Sequence, residues 1–278
     1  MLIGEDFGEL YGSIYIKDIN GSLDERTFMR IKLTLEANRP VVIPINYQYP
    51  LSSAIYNMLQ RADARYAGQL HEKGYELGSK KFKLFTFSSL YPDFYKLQGR
   101  QMLIAPGNVD LYIGSLKNEF LINFAEGVFC NNVLRISTGE LMIRQAEAIR
   151  APEFKRSMRF RCLSPVVATT KEEVDGQLRQ RDCRLEEDKY RENIIKNLYS
   201  KYELIYGKSV EEKDFRIFYN SKDMERYGRG KLIGFKNSFI KGFLCPFEAS
   251  GSPELMRVMW EVGAGEKNSG GFGMVDIA

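Results

Sequence analysis

The sequence predicts an α+β fold, because segments with the two-residue alternation of a strand are interspersed with segments that have the helical repeat of apolar residues. Residues 29–36 alternate apolar and polar side chains, as a half-buried strand does. Residues 253–262 instead have apolar side chains at the i, i+3, i+4 and i+7 positions of one buried helix face. Along the chain, the order strand, helix, strands, helix, strand occurs twice, which is the ferredoxin-like order.

Residues 29–150 are predicted to form the first ferredoxin-like (RRM-like) βαββαβ domain. After the strand over 29–36, residues 50–59 have their apolar side chains on one helical face, and Asp63 is placed to cap a second short helix that ends at Gly74. The other predicted elements of this domain are a strand over 81–87, a strand on each side of Pro106 and Gly107, a helix over 118–129 and strands over 133–149.

Residues 151–278 are predicted to form the second domain. The domain opens with a basic connector over 150–161, which contains five cationic residues and one acidic residue. No internal sequence repeat accompanies the second set of elements, so the duplication is predicted from element order alone. The predicted elements are a strand over 160–169, a helix over 186–206, a strand over 215–219, a strand pair over 231–249, the helix over 253–262 and a strand over 272–277.

Residues 1–28 are set apart as an N-terminal extension. They mix acidic residues with Tyr11, Ile14 and Tyr15, and residues 18–21 have the composition of a turn. A short hairpin, a loose tail and a start codon assigned upstream of Met29 all fit this stretch.

Composition excludes several classes of protein. Forty lysine and arginine residues against 36 acidic residues give a net charge of +4, too mild to indicate a nucleic-acid-binding protein by itself. The four cysteines are scattered without a Cys-x-x-Cys pair, which favours neither a disulfide framework nor a zinc site and fits a reducing cytoplasm. We expect no membrane span, because no apolar run approaches ~18 residues. The chain has a single histidine, which excludes a metal site with two histidine ligands.

The glycine-rich stretch 263–273, Gly-Ala-Gly-Glu-Lys-Asn-Ser-Gly-Gly-Phe-Gly, departs furthest from ordinary globular composition. Its glycines permit positive φ and expose backbone N–H groups that can cradle phosphate. Its spacing fits neither a Rossmann fingerprint nor a Walker loop, and a flexible connection with a glycine helix cap is the alternative. The candidate nucleic-acid-binding residues here are Gly263, Gly265, Lys267, Asn268, Ser269, Gly271 and Gly273.

Residues 222–236 are a second candidate nucleic-acid-binding segment, with five cations, two acids and three glycines. As a loop between strands, this segment is predicted to follow a phosphate backbone while Tyr227 or Phe235 stacks on a base. An ordinary solvated hairpin fits equally well. With the basic connector and the glycine-rich stretch, three segments favour an RNA or DNA ligand. The candidate binding residues of this segment are Arg226, Arg229, Lys231 and Lys236.

His71 is the single imidazole available for acid–base chemistry. It lies in the last turn of the helix that ends at Gly74, at the edge of the buried face, where the helix C-terminus favours a cation. This position suits a general acid or base, and equally a surface histidine that complements the helix dipole. Considered alone, Tyr56 is a boundary aromatic residue and Lys83 belongs to the solvated face of a strand.

The stretch 263–275, with its Glu-Lys-Asn-Ser core and Gly-Phe-Gly-Met ending, resembles the glycine-rich signature of the CRISPR-associated Cas-six family. Members of this family are endoribonucleases that cut precursor CRISPR RNA within its repeats. The blocks 55–57, 70–72 and 83–88 resemble the N-terminal blocks of the family, in the expected order. The resemblance covers about residues 29–278 and implies a tandem pair of ferredoxin-like domains.

Carried over by motif, the resemblance implies that Tyr56, His71 and Lys83 form the catalytic group. It also implies metal-independent cleavage without a cofactor, in which the 2′-OH of RNA attacks the adjacent phosphate and leaves a 2′,3′-cyclic phosphate and a 5′-OH. The protein then supplies alignment, proton transfer and charge stabilisation. We expect His71 to transfer protons, Lys83 to stabilise the phosphorane charge, and Tyr56 to position the scissile phosphate or share in proton transfer. The glycine-rich stretch is expected to support RNA binding.

Two alternatives remain at this point. One is a non-catalytic RNA-holding subunit of the same fold, against which the presence of Tyr56, His71 and Lys83 argues. The other is a nucleotide-binding metabolic enzyme, against which the loop spacing argues. The expected partner is CRISPR repeat RNA, and membership of a CRISPR effector complex and formation of a homodimer are left open.

Overall fold

The structure, a computed structural model, describes residues 15–17, 28–211 and 213–278. Its two halves each contain an antiparallel sheet against which helices pack. The strands of the first half are β1 (Tyr15–Lys17), β2 (Phe28–Ala37), β3 (Val41–Pro44), β4 (Tyr75–Leu77), β5 (Lys80–Phe82), β6 (Phe85–Phe87), β7 (Tyr91–Pro92), β8 (Tyr95–Gln98), β9 (Gln101–Ile104), β10 (Gly107–Ser115), β11 (Val133–Ile136) and β12 (Gly139–Arg150). Its helices are α1 (Gln48–Ala62), α2 (Ala64–Glu72) and α3 (Asn118–Cys130).

The second half has the same plan with two added hairpins. Its strands are β13 (Ser157–Cys162), β14 (Thr169–Val174), β15 (Gln177–Asp182), β16 (Arg216–Phe218), β17 (Lys231–Phe235), β18 (Ser238–Gly242), β19 (Phe247–Ser250) and β20 (Val275–Ile277). Its helices are α4 (Asp188–Tyr206), α5 (Ser221–Tyr227) and α6 (Pro253–Val262).

Sheet topology confirms the predicted tandem ferredoxin-like fold. The first sheet has the strand order β1-β12-β2-β10-β6, in which the last four strands form the βαββαβ unit, and the second sheet has the order β16-β19-β13-β20. In both sheets the first and third strands of the βαββαβ unit are central, and the second and fourth strands are outside them. Each sheet has a core of its own, built from the apolar side of its strands and of its helices.

Several elements form where the sequence predicts them. Helix α6 has the predicted bounds 253–262, because Pro253 is accommodated in its first turn and the Ser252 hydroxyl accepts a hydrogen bond from the Leu255 N–H at 3.3 Å. Helix α2 begins after Asp63, whose carboxylate accepts from the Tyr66 N–H at 2.9 Å, as predicted. Within the described residues, no helix is both long enough and apolar enough to cross a membrane.

Other predicted elements are wrong in extent. The single strand over 81–87 is two strands, β5 and β6, because Leu84 has a φ of 53° and interrupts the extended backbone. The strand over 160–169 ends at Cys162, and its start lies inside the basic connector. Residues 272–274 are not in the last strand, which is Val275–Ile277. The hairpin or tail considered for residues 1–28 lies outside the described residues apart from β1, which pairs in parallel with β12.

The predicted loop over 222–236 is also wrong, since it contains a helix and a strand. Asn220 caps α5 by accepting from the Asp223 N–H at 2.7 Å, and β17 follows. Three short strand groups outside the two βαββαβ sheets contain strands that were not predicted: β3 and β8 in the β3-β9-β8 sheet, β4 in the β4-β5 hairpin, and both strands of the β14-β15 hairpin. They do not alter the ferredoxin-like order.

A buried cation joins the two halves. Arg30, on β2, has almost no exposed surface, and its guanidinium stacks 3.6 Å from the ring centre of Trp260 on α6. The guanidinium also donates to the backbone carbonyls of Trp260 and Val275. Asp276 faces it at 3.5 Å and accepts from the indole N–H of Trp260 at 3.0 Å. Burial lowers the pKa of Arg30, and the carboxylate of Asp276 opposes that effect.

We predict that Arg30→Met lowers the free energy of unfolding by about 3 kcal/mol, because it leaves the buried carbonyls of Trp260 and Val275 without this donor and Asp276 without its buried partner. Arg135→Met is the matched control, since Arg135 pairs with Glu140 in an exposed position and should cost less than about 1 kcal/mol. Urea unfolding followed by far-UV circular dichroism measures both. Equal losses for the two variants would contradict a special role of the buried cation.

Candidate active site

A cleft of about 490 Å³ lies where α1 and α2 meet the glycine-rich stretch and the tip of the β17-β18 hairpin. Both halves of the chain therefore contribute to it. Tyr56, His71 and Lys83, which come from three separate segments of the first half, all line this cleft. The second half contributes Phe235, Lys236, Ser269 and Gly270.

Helix α1 places Tyr56 at the boundary of the first core. The helix buries Leu51, Ile55 and Leu59 against the sheet, and Tyr56 lies beside that apolar face, half-buried. Its ring meets the ring of Phe85 edge-on, with the centres 5.6 Å apart. This contact fixes the direction in which the phenol points into the cleft.

His71 reaches the same cleft from the last turn of α2. Leu70 is buried and anchors the helix, while the next residue, His71, is exposed. The imidazole meets the Tyr56 ring edge-on, with the ring centres 5.0 Å apart and the planes at 86°. An accessible imidazole beside a phenol is an arrangement suited to proton transfer on a bound ligand.

The sequence predicted that Lys83 lies on the solvated face of one continuous strand. In the structure it lies instead between β5 and β6. The left-handed conformation of Leu84 turns the chain, and the Lys83 ammonium donates to the carbonyls of Leu70 at 2.5 Å and His71 at 2.7 Å. These are unpaired carbonyls of the last turn of α2, which attract a cation. Lys83 is thereby held beside His71 with one of its three protons left over.

Close packing brings the Lys83 segment to α2. Gly74 follows the helix with a φ of 66°, and a Cβ there would be 2.5 Å from the carbonyl oxygen of Phe82. Only glycine fits both the backbone conformation and the space.

Burial shifts the pKa of two of these groups. It raises the pKa of Tyr56 above its ordinary value, although a hydrogen bond to Ser269 opposes the change, so the phenol is protonated at neutral pH. Burial lowers the pKa of Lys83, and the neighbouring charge of Lys81 lowers it further. Tyr56 is therefore a hydrogen-bond donor in this cleft and not a base.

The glycine-rich stretch folds into a compact loop whose glycines face the protein. Gly263, Gly265, Gly271 and Gly273 are buried and have positive φ. A Cβ at Gly273 would be 2.0 Å from the carbonyl oxygen of Ala264. Direct RNA contact by these four glycines stays a prediction that their burial does not favour, and the surface that the loop offers is Lys267 and part of Asn268 and Ser269.

Asn268 ties the loop together from within. Its side-chain N–H groups donate to the carbonyls of Ala264 at 3.2 Å and Phe272 at 3.1 Å. The next residue, Ser269, faces α1, where its carbonyl accepts from the Ser52 hydroxyl at 2.7 Å. The loop thus forms one wall of the cleft and is attached to the helix that carries Tyr56.

Sequence reasoning missed Lys201, the residue that holds this loop. Lys201 lies on α4, is 2% exposed, and donates to the carbonyls of Gly263 and Gly265 at 2.8 Å each and to the Asn268 side-chain oxygen at 2.7 Å. In the sequence it is one of several lysines on a polar helix. Its neighbours in the chain do not distinguish it, because its acceptors are more than 60 residues away.

Only some of the candidate basic residues line the cleft. Lys236 lines the cleft, with its ammonium 5.1 Å from the ring centre of Tyr49. Arg226, Arg229 and Lys231 are exposed but do not line the cleft. In the basic connector, arginines pair with carboxylates of the second half at distances of 2.9–3.3 Å: Arg156 with Asp214, Arg159 with Asp223 and Arg161 with Asp276.

Among the residues that the structure describes, no group of three His, Cys, Asp or Glu side chains is arranged to hold a metal ion.

Comparison with known proteins gives consistent matches along almost the whole chain. Family models described as CRISPR-associated protein Cas6 match in two parts, the N-terminal model over residues 42–147 and the C-terminal model over residues 149–277. The chain is 34% identical over 252 residues to CRISPR-associated endoribonuclease Cas6 1 of Methanocaldococcus jannaschii, which covers 90% of this chain and 93% of that protein.

Solved structures agree. The product of a Cas6-related gene of Pyrococcus furiosus superposes with a TM-score of 0.79 at 26% identity, covering 90% of this chain and 98% of the other. A structure of CRISPR associated protein Cas6 gives a TM-score of 0.74 at 33% identity, with 90% and 99% covered. The similarity therefore extends over both halves and both walls of the cleft.

We predict that Gly273→Ala destabilises the protein by about 3 kcal/mol or more, because the new Cβ would collide with the Ala264 carbonyl. Gly176→Ala is the control: it has nearly the same φ, 73° against 77°, but nothing within 4 Å of the added Cβ. The control should lose only the ~1–2 kcal/mol of left-handed backbone strain. Thermal unfolding of the two variants separates the collision from the strain, and similar losses would show that the loop can relax.

Proposed function

The chain belongs to the Cas6 family, and from this premise we propose that it is an endoribonuclease that cuts CRISPR repeat RNA in precursor transcripts to release guide RNAs. The observation that carries the proposal is the convergence of Tyr56, His71 and Lys83 in one cleft. These residues are 15 and 12 positions apart in sequence and come from two helices and an interstrand segment. A binding protein would have no need of an exposed imidazole against a protonated phenol.

The proposed reaction uses the 2′-OH of the RNA as the nucleophile. It attacks the adjacent phosphorus, the bond to the 5′-oxygen of the next nucleotide breaks, and the products are a 2′,3′-cyclic phosphate and a 5′-OH. His71 transfers a proton at the attacking or the leaving oxygen. The remaining proton of the Lys83 ammonium is directed to the phosphorane oxygens, where negative charge develops.

Tyr56 acts as a positioning donor in this proposal. Its raised pKa keeps the phenol protonated, so it can donate to a non-bridging phosphate oxygen but cannot accept the proton of the 2′-OH. Lys236, Lys267 and Ser269 are the proposed RNA-binding residues nearest the cleft. Arg226, Arg229 and Lys231 are proposed to contact more distant phosphates, because their charges are exposed.

The remaining proposals concern organisation. We place the domain limits at 29–150 and 151–278, supported by the division of the strands into two sheets and by family models that meet near residue 148. The partner is CRISPR repeat RNA, in line with a RAMP protein that binds different RNA substrates and has a TM-score of 0.77 at 25% identity. A cytoplasmic location, membership of a CRISPR effector complex and a homodimer remain predictions.

We predict that His71→Ala slows cleavage of repeat RNA by ~10²–10⁴-fold, which is the usual contribution of a general acid or base. Binding should change little, because the imidazole carries little of the phosphate attraction. Single-turnover cleavage of end-labelled repeat RNA and a filter-binding titration measure the two effects. Gln69→Ala, an exposed substitution on the same helix that does not line the cleft, is the matched control.

Cleavage by His71→Ala at the wild-type rate would contradict the mechanism. If wild-type protein binds the repeat tightly and does not cut it, the non-catalytic RNA-holding function takes the place of the proposal.

We predict that a single 2′-deoxy substitution at the scissile nucleotide abolishes cleavage while leaving the binding constant nearly unchanged, because it removes only the nucleophile. Excess EDTA should leave the cleavage rate of the unmodified RNA unchanged. The same assay reads both, with phosphatase and kinase treatment of the fragments to identify the cyclic phosphate and the 5′-OH. Cleavage of the deoxy substrate, or a rate restored only by Mg²⁺, would assign the protein to a different class of nuclease.

A further inference from the structure

Lys201 is a buried lysine that the proposed reaction does not use. Its three hydrogen bonds go to two backbone carbonyls and one amide oxygen, which match the three protons of an ammonium group. Burial lowers its pKa to about 7, and the nearby carboxylate of Glu266 opposes that effect. Burying a lysine lowers the free energy of unfolding, so we expect the contacts of Lys201 to have a role beyond packing.

All three acceptors belong to the glycine-rich loop. Gly263 and Gly265 lie at its start and Asn268 at its centre, so the Lys201 ammonium fixes the first half of the loop against α4. This half cannot hold itself in a regular ladder, because Gly263, Gly265 and Lys267 all have positive φ. The ammonium replaces the backbone partners that the loop lacks.

The contact continues from the loop to the cleft. Ser269 follows Asn268, and its carbonyl accepts from Ser52, which is one helical turn before Tyr56 on α1. Ser269 and Tyr56 also line the same cleft. A series of contacts therefore runs from Lys201 through Asn268 and Ser269 to Ser52 on the helix that carries Tyr56, and Tyr56 contacts His71.

We propose that Lys201 is a positioning residue: by holding Asn268, it sets Ser269 against Tyr56 and so fixes the phenol beside His71. This inference rests on the proposed function for its effect on cleavage, but the position of Tyr56 relative to His71 can be observed without RNA. Lys201 does not line the cleft, so its proposed influence on the reaction passes through the loop.

The first experiment is a double-mutant cycle on cleavage at saturating RNA. Lys201→Met keeps the length of the side chain and removes its donors, and we expect a loss of about 10–10²-fold in rate, the scale of a misplacement near 1 Å. In a Tyr56→Phe background the same substitution should cost no more than about 3-fold, because the hydroxyl that Lys201 positions is absent. Lys189→Met, an exposed lysine on the same helix, should change neither rate.

Equal losses in the two backgrounds would overturn the proposal and leave Lys201 as a stabilising residue only. A loss confined to RNA affinity, with the rate at saturation unchanged, would overturn it as well.

The second experiment does not depend on cleavage. The chain has a single histidine, so tag-free protein gives one imidazole Hε1 resonance, and the Tyr56 ring is close enough to shift it. Lys201→Met should move this resonance, and Lys189→Met should not. If wild-type protein cleaves no repeat RNA, the proposed function fails while this measurement still decides the positioning role. An unmoved resonance in Lys201→Met would refute that role.

A variant that leaves the lysine in place covers the case in which Lys201→Met does not fold. Asn268→Ala removes the middle contact of the chain and keeps both carbonyl acceptors of Lys201. It should move the His71 resonance and show the same non-additivity with Tyr56→Phe. An additive effect together with an unmoved resonance would overturn the proposal on this variant alone.

Discussion

The buried guanidinium of Arg30 is the contact on which the composite cleft depends. Arg30 lies on the central strand β2 of the first sheet. Its guanidinium donates to the backbone carbonyls of Trp260 and Val275, which lie just before and just after the glycine-rich loop. One cation from the first half therefore fixes both ends of a loop that belongs to the second half. The guanidinium is held in place, because moving away from its acceptors would leave an unpaired charge in the interior. The cleft lies between the halves, and this contact holds its two walls in a fixed position relative to each other.

A second buried basic side chain acts on the first half of the same loop. Lys201 comes from α4 of the second half and binds the loop carbonyls that Arg30 does not reach. The loop is held at its ends by one half and from Gly263 to Asn268 by the other, which explains how a segment rich in glycine can still form a defined surface. The role of its glycines follows from this arrangement. They allow the backbone to turn with positive φ while packing against Val167 and Phe87, and the surface left to a ligand is Lys267 and Ser269.

Periodicity and capping chemistry were sufficient to predict the elements whose determinants are local. Helix α6 could be placed from its apolar repeat, and Asp63 located the start of α2, because a cap acts within three residues. Local patterns failed where a distant contact decides the conformation. Lys83 reads as part of an alternating strand, and only the packing of Leu84 in a left-handed conformation and the carbonyls of α2 turn it toward His71. Lys201 reads as a solvated lysine for the same reason, since its acceptors follow more than 60 positions later. The convergence of Tyr56 and His71 came from family resemblance and not from spacing.

The environments of the three grouped residues divide the chemistry among them. Burial keeps Tyr56 protonated, which limits it to donating a hydrogen bond. Two of the three Lys83 protons are committed to the end of α2, so the lysine is held as a charge with a single free donor. His71 is exposed, carries the one imidazole of the chain, and faces the cleft between them. We therefore propose that His71 carries out proton transfer and that its two neighbours hold the phosphate in the orientation this transfer needs.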